Sequence, residues 1–130
     1  MIEGIEGITT TALSMALDAA SLRQQAIATN IANASSEGYI PQRVNFEAYV
    51  QDARRELIER GRLDSQTLLN MAESPLAMEP AVDGAGVPAK VQLDAEVAGM
   101  AQNAVHYQAL LKGLSRHLSV LYSAASDGKR

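Results

Sequence analysis

The residues best suited to metal binding or acid–base chemistry are the two histidines, His106 and His117. An imidazole ring can ligate a metal ion or transfer a proton near neutral pH. Eleven positions separate them, which on a helix corresponds to a rise of about 16 Å, so they cannot bind the same metal ion. The chain has no cysteine, which excludes a disulfide framework and a thiolate metal site. We therefore expect neither a metal site nor a cofactor.

Other arrangements of catalytic residues are also missing from the sequence. Asp94 and Glu96 are two positions apart, so on a helix their side chains face different directions. The sequence contains no serine-hydrolase elbow, zinc-protease helix motif, phosphate-binding loop or dinucleotide-binding fingerprint. We therefore predict that the chain is not an enzyme and has no small-molecule substrate.

Length and composition favour a single helical domain. At 130 residues the chain is long enough for one domain and too short for two. Hydrophobic residues make up 47% of it, yet only five are Phe or Tyr and none is Trp, which suits close packing of helices. The net charge of −4 includes no basic cluster, which argues against nucleic acid as a partner. No apolar run approaches the roughly 18 residues that a membrane-spanning helix needs.

A helix is predicted near the N-terminus, from about Thr9 to Ala34. Its apolar or small residues recur at alternating steps of four and three, with the three threonines at positions 9–11 as candidate N-caps. The row consists of Ile8, Ala12, Met15, Ala19, Leu22 and Ala26.

The strongest periodic signal lies near the C-terminus, where apolar residues alternate at steps of four and three over four heptads. This is the spacing of a coiled-coil seam. The predicted seam consists of Leu93, Val97, Met100, Ala104, Tyr107, Leu111, Leu114, Leu118 and Leu121.

The middle of the chain is less regular. A shorter helix is predicted between Asn45, as a possible cap, and a stop at Gly61. A short helical turn is expected over residues 65–72, and residues 73–90 contain enough Pro and Gly to predict a loop or an extended arm. The residues expected to face inward from the middle helix are Phe46, Tyr49, Val50, Ala53 and Leu57.

Charged residues are scarce in both terminal helices. Residues 9–35 contain two and residues 94–124 contain four, whereas average usage predicts about seven in each. Small, neutral outer faces are what helices need when other helices surround them, so we predict an oligomer or filament. An alanine-rich surface on a soluble bundle is the alternative.

The N-terminal helix is predicted to end in an unusual way. Asn30 and Asn33 are weak helix formers, and their amides could bond backbone groups at the helix end or reach a neighbour. Simple fraying is the alternative. Gly38 can adopt positive φ in the turn, Tyr39 could pack back on the helix, and Pro41 prevents the helix from resuming.

Residues 14–47 resemble the N-terminal signature of bacterial flagellar rod and hook proteins. In that signature a helix ends in a core like S/A-N-I-A-N-A/V, a polar segment with Gly-Tyr follows, and the chain returns to a Phe-containing element. Phe46 matches the Phe-containing element of the signature. The other matching residues form the candidate assembly motif: Asn30, Ile31, Ala32, Asn33, Ala34, Gly38 and Tyr39.

Residues 91–124 are similar to the C-terminal helix of the same family, and most of all to that of its short proximal rod proteins. Gln92 stands where that subgroup has an acidic residue. The similarity covers about two thirds of the chain, within residues 14–50 and 88–124. The matching residues of the C-terminal helix are Val91, Asp94, Glu96, Asn103, Tyr107, Gln108 and Ala109.

The resemblance implies a mainly α fold, in which two long terminal helices pair as an antiparallel coiled coil, with a short helix and an irregular middle segment. It implies one discontinuous rod-type domain, formed by residues 1–50 and 88–124, with residues 51–87 as a variable, partly looped segment. The implied function is that of a structural subunit of the flagellar basal-body rod, which transmits torque from motor to hook.

The resemblance also implies partners and a location. The partners are other rod subunits, further copies of this chain, and the basal-body and export apparatus. The location is the periplasmic rod, reached through the flagellar type III apparatus without a cleaved signal peptide. Glu3 and Glu6, with no early Lys or Arg, argue against a Sec-type signal. Alternatives are another flagellar axial subunit, or a soluble helical adaptor or export chaperone.

Overall fold

The computed structural model describes residues 2–61, 64–74 and 76–128. Its elements, in chain order, are α1 (Ile2–Ala32), β1 (Gln42–Val44), α2 (Phe46–Arg60), α3 (Ser65–Glu73), β2 (Met78–Pro80) and α4 (Leu93–Asp127). The predicted fold class is confirmed, because the chain is mainly helical and its two long terminal helices pack against each other.

Helices α1 and α4 run antiparallel. Asn103, early in α4, bonds the carbonyl oxygen of Ala20 in α1. Ten residues further along α4, Gly113 faces Leu13, seven residues closer to the start of α1. Residue numbers therefore increase along α4 in the direction in which they decrease along α1, so the two helices are antiparallel.

Helix α1 is longer than predicted. It begins at Ile2, so the threonines at positions 9–11 lie inside the helix and the prediction that they cap it is wrong. The helix continues through Gly4 and Gly7. A glycine inside a helix costs only about 1 kcal/mol, which a helix of four or more packed turns tolerates.

Helix α2 begins and ends where the sequence indicated. Asn45 occupies the N-cap position, although its side chain makes no capping hydrogen bond, and Gly61 ends the helix at φ 67°. The predicted inward face is only partly correct, because Val50 and Leu57 are exposed, whereas Phe46 is half-buried. The side chain of Tyr49, which was also predicted to face inward, lies outside the described part of the chain.

Helix α3 packs on α1 and extends one residue past the predicted turn. The carboxylate of Asp64 caps it by accepting a hydrogen bond from the backbone N–H of Thr67 at 2.7 Å. Leu68 is buried, and together with Met71 it borders a small cavity that also contacts Met15 of α1.

Part of the segment predicted as loop or extended arm is a strand. β2 pairs antiparallel with β1, with Gln42 opposite Pro80 and Val44 opposite Met78. Residues 81–89 then fold back on themselves, because the N–H of Ala89 donates to the carbonyl of Ala81 at 2.9 Å. The middle segment is thus attached to the end of α1 rather than extending from it.

The core is small and built largely from alanine. Its buried apolar residues are Ala19, Ala20, Ala26, Ile27, Val44 and Leu68. Many large apolar side chains of the described residues are exposed instead, especially along α4. Across the described ranges, none of the helices combines the length and apolarity that crossing a bilayer requires.

Candidate assembly site

Asn30 lies at the junction of α1, β1 and α4. Only 1% of its surface is exposed. Its side-chain Nδ2 donates to the carbonyl oxygen of Gln42 at 2.9 Å and to Oε2 of Glu96 at 3.2 Å. One amide group therefore connects the end of the first helix to the returning strand and to the first turn of the last helix.

The oxygen of the same amide is also fully used. Oδ1 of Asn30 accepts from the hydroxyl of Tyr39 at 2.8 Å and from the backbone N–H of Gln42 at 2.8 Å. A neutral carboxamide has two N–H donors and two acceptor positions, so all four are satisfied. We call Asn30, Tyr39, Gln42 and Glu96 the Asn30 hub.

The sequence left three possibilities open for the end of α1: a frayed helix, side chains that bond nearby backbone groups, or side chains that reach a neighbour. For Asn30 the structure distinguishes between them. The side chain forms its bonds within one chain, to both the returning segment and α4. A buried amide with every donor and acceptor paired rigidifies its surroundings, because any displacement leaves a polar group unsatisfied. The end of α1 is therefore fixed relative to α4.

Asn33 has a different role from Asn30. Its Nδ2 donates to the carbonyl oxygen of Thr29 one turn earlier, at 2.8 Å. The backbone N–H of Asn33 donates to the same oxygen at 3.1 Å. Asn33 therefore closes the last turn of α1 locally and does not reach α4.

The turn after α1 follows the predicted pattern. Gly38 adopts φ 73°, the left-handed conformation that favours glycine. This turn directs Tyr39 back toward Asn30. Pro41 is buried, and its carbonyl oxygen accepts from Ala81 at 2.8 Å, which joins the turn to the chain after β2.

The remaining residues of the candidate assembly motif lie around the hub at different depths. Ile31 and Ala34 are half-buried, whereas Ala32 is exposed. Phe46 is half-buried at the start of α2. The motif is thus brought together by the fold, with Asn30 as its only fully buried member among the described residues.

A second buried amide lies between α1 and α4. Asn103 is 6% exposed, and its Nδ2 donates to the carbonyl of Ala20 and to Oε1 of Gln24, both at 2.8 Å. Within the residues that the structure describes, its Oδ1 has no hydrogen-bond partner. A buried polar residue between two packed helices specifies their axial register, because other registers leave its donors unpaired.

The predicted seam of α4 divides into two groups. Four residues are half-buried, on the side that packs on α1: Met100, Tyr107, Leu114 and Leu121. The other five are exposed: Leu93, Val97, Ala104, Leu111 and Leu118. Next to the half-buried group, on the side away from the exposed group, another row of α4 completes the contact with α1. It consists of Glu96, Asn103, Leu110 and His117. The intramolecular face and the predicted seam therefore coincide at four positions and differ at five.

Sequence reasoning gave no role to Glu96, Asn103 or Gln42, which carry much of the polar contact. Glu96 and Asn103 are seven residues apart, and Leu110 and His117 continue the same spacing. This row escaped a search for apolar periodicity because three of its four members are polar. Glu96 and Asn103 were both matching positions in the resemblance, which was the available signal.

The histidines are not brought together. Both belong to the single uninterrupted helix α4, where His106 is exposed and His117 is half-buried. Among the described residues, no three His, Cys, Asp or Glu side chains are grouped closely enough to hold a metal ion.

Comparison with models of known protein families gives no match to this chain, and comparison with curated proteins gives no significant similarity.

Proposed function

We propose that this chain is a structural subunit of the bacterial flagellar basal-body rod, with a role like that of the proximal rod protein FlgB. In this role the paired terminal helices pack against those of neighbouring subunits, and the resulting axial rod transmits torque from motor to hook. The chemistry of such a subunit is helix packing rather than catalysis.

The observation that carries the proposal is the large surface of the isolated chain. Its accessible area is 9172 Å². A compact protein of the same mass, 13.8 kDa, exposes about 6,600 Å². The excess of about 2,500 Å² is at the upper end of the roughly 1,000–2,500 Å² that each partner buries in a permanent assembly. The chain thus has the surface of a subunit whose burial is completed by others.

The Asn30 hub supports the same proposal. The residues that resemble the flagellar signature are the ones that fix α1, the returning strand and α4 to one another. A subunit that transmits torque through packed helices needs those helices to be rigidly connected at one end. The hub supplies that connection through buried, fully paired hydrogen bonds.

Partners and location follow as parts of the proposal. The partners are other rod subunits, further copies of this chain and the export apparatus at the base of the flagellum. The location is the periplasmic rod, after export by the flagellar type III route. The outer faces of α1 and α4 are poor in charge, which suits helical neighbours of the same kind.

An adaptor or export chaperone is the alternative from another class, and the exposed apolar residues of α4 also favour it. Such a protein would cover these residues with one helix of its client and would remain outside the finished basal body. Another flagellar axial subunit is the alternative within the same class.

The decisive experiment removes the gene and purifies basal bodies from the parent cells. If the chain is a rod subunit, mass spectrometry is expected to detect it among the proteins of purified basal bodies. Deletion of its gene is expected to stop swimming, and electron microscopy should then show basal bodies without a hook. Normal swimming of the deletion strain would contradict the proposal. Loss of swimming without the chain in purified basal bodies would favour the chaperone.

A further inference from the structure

The exposed half of the predicted seam forms a second contact stripe on α4. We define the outer stripe as Val97, Ala104, Leu111 and Leu118, which recur every seven residues. We propose that the outer stripe binds a helix of a second copy of this chain. This inference rests on the proposed function as an assembling subunit, and it specifies which face takes part and what covers it.

The position of the stripe on the helix is set by the contact with α1. Asn103 and Glu96 face α1 directly. Met100 and Tyr107 lie one row further round the helix and are half-buried. The outer stripe is the next row after these, so it continues the apolar surface beyond the edge of the intramolecular contact. A helix with two adjacent heptad rows can pack against two helices at once.

The length of the stripe suits a helical partner. Twenty-one residues separate Val97 from Leu118, which corresponds to about 30 Å along the helix axis. Leu111 retains 43% of its exposure and Val97 retains 52%. Both lie in regular helix, Leu111 near the middle of α4 and Val97 just after its first turn. Exposed aliphatic side chains at heptad spacing match the knobs of a coiled coil.

Charge distinguishes this face from the rest of α4. The outer stripe carries no charged residue. The row beyond it begins with Asp94 in the first turn of α4 and continues with the uncharged Ala101, Gln108 and Ser115. Val105 and Lys112 each follow a residue of the stripe by one position, which is a rotation of about 100° round the helix. Together with Arg116 they lie on the side of α4 that is turned away from α1. A charged partner would therefore find no opposite charge to pair with on this face, whereas an uncharged helix could bind it without burying an unpaired charge.

A groove next to the stripe provides space for side chains of the incoming helix. It has a volume of about 330 Å³ and lies between α1 and α4, bordered by Ser21, Gln24, Ala104 and Gln108. Small residues such as Ala104 and Ser21 allow a second helix to approach closely. The groove thus extends the contact surface from α4 onto α1.

A second copy is the partner that fits the outer stripe, because this chain supplies the matching surface itself. A partner must present a long, neutral helix face, and residues 9–35 and 94–124 of the chain are poor in charge. The surface in excess of a compact monomer, about 2,500 Å², is also about three times what one partner buries in a standard interface. One contact along the outer stripe accounts for part of that area.

The test uses charge substitutions at two exposed positions of α4 in the full chain. Leu111→Asp places a carboxylate in the outer stripe, and Val105→Asp places one outside it, on the side of α4 turned away from α1, where the side chain is 67% exposed. Both positions are exposed, so both variants are expected to retain the circular dichroism of the wild type at low concentration. Sedimentation equilibrium over a wide concentration range then measures self-association of each. We expect at least tenfold weaker association for Leu111→Asp and no change for Val105→Asp.

A cross-linking experiment gives a second readout. The chain contains no cysteine, so Leu111→Cys and Val105→Cys each carry one thiol for a photoreactive label. Covalent dimers identified by mass spectrometry are expected from position 111 and not from position 105.

The outcomes separate this proposal from the proposed function. Unchanged association of Leu111→Asp, equal weakening by both charges, or a wild type that stays monomeric at all concentrations would overturn the second copy as occupant. If Leu111→Asp abolished swimming but left self-association unchanged, the outer stripe would bind another protein. The proposed rod function would then stand, and the proposal that a second copy binds the stripe would be wrong.

Discussion

Asn30 and Glu96 are 66 residues apart in the chain, yet the amide of one donates to the carboxylate of the other at 3.2 Å. This bond fastens the last turn of α1 to the first turn of α4. The same amide bonds the strand that returns after the turn. The two long helices are therefore joined at one end by a polar cluster, and further along by the buried amide of Asn103 and by apolar contacts.

Replacement of the Asn30 amide by a carboxylate is expected to destabilise the fold strongly. Asn30→Asp keeps the size of the side chain but removes both N–H donors. It places a carboxylate oxygen next to the carbonyl of Gln42 and the carboxylate of Glu96. The expected loss is about 3 kcal/mol or more in the free energy of unfolding, measured by urea denaturation.

Asn33→Asp is the matched control for that substitution. Asn33 lies three residues further along, and its Nδ2 bonds only the local carbonyl of Thr29 among the described residues. The expected loss is below about 1 kcal/mol. Equal effects of the two substitutions would show that burial at the hub is not what makes Asn30 important.

The hydroxyl of Tyr39 should contribute separately. Tyr39→Phe removes the donor to Oδ1 of Asn30, which retains the N–H of Gln42 as a second donor. We expect a loss of about 1 kcal/mol in the free energy of unfolding, again measured in urea. Tyr122→Phe is the control, since that ring is 78% exposed, and it should change stability by no more than a few tenths of a kcal/mol.

The turn after α1 depends on the backbone freedom of Gly38. Gly38→Ala adds a methyl group that meets no atom within 4 Å, so its cost is conformational and comes from φ +73°. The expected loss is about 1 kcal/mol in thermal or urea unfolding. Gly84 also lies in a turn and has open space, but it lacks a positive φ. A loss of the same size from Gly84→Ala would contradict the conformational explanation.

Stability can also be raised at the contact between α1 and α4. An added Cβ at Gly99 would lie 3.8 Å from Cδ1 of Ile27, which is an ordinary van der Waals contact. Alanine is also a better helix former than glycine by about 1 kcal/mol. Gly99→Ala should therefore raise the free energy of unfolding by about 0.5–1 kcal/mol. A decrease would show that the two helices are closer at this point than the structure describes.

Periodicity in the sequence was sufficient to predict the helices and several of their ends. The steps of four and three placed α4 almost to its limits, and Gly61 marked the end of α2. Gly38 was predicted to take positive φ because the turn required it. These features depend on residues close in sequence, which is where local pattern is informative.

Features that depend on distant residues were not predictable in the same way. Strands of three residues, such as β1 and β2, are too short to show an alternating pattern, so their pairing had no local signal. The face of α4 toward α1 includes Glu96, Asn103 and His117, whose polarity hid it from a search for apolar residues. The role of Asn30 was clear only once Tyr39, Gln42 and Glu96 were seen around it.

The distance along the chain between Asn30 and Glu96 also sets the order of folding. Closing a flexible loop of that length costs about 4 kcal/mol of chain entropy before any contact is gained. A chain that emerges N-terminus first, from a ribosome or from any narrow channel, has already released α1, the turn and β1 before Glu96 becomes available. The connection between the two long helices is therefore among the last to form, and until then α1 has no α4 to pack against.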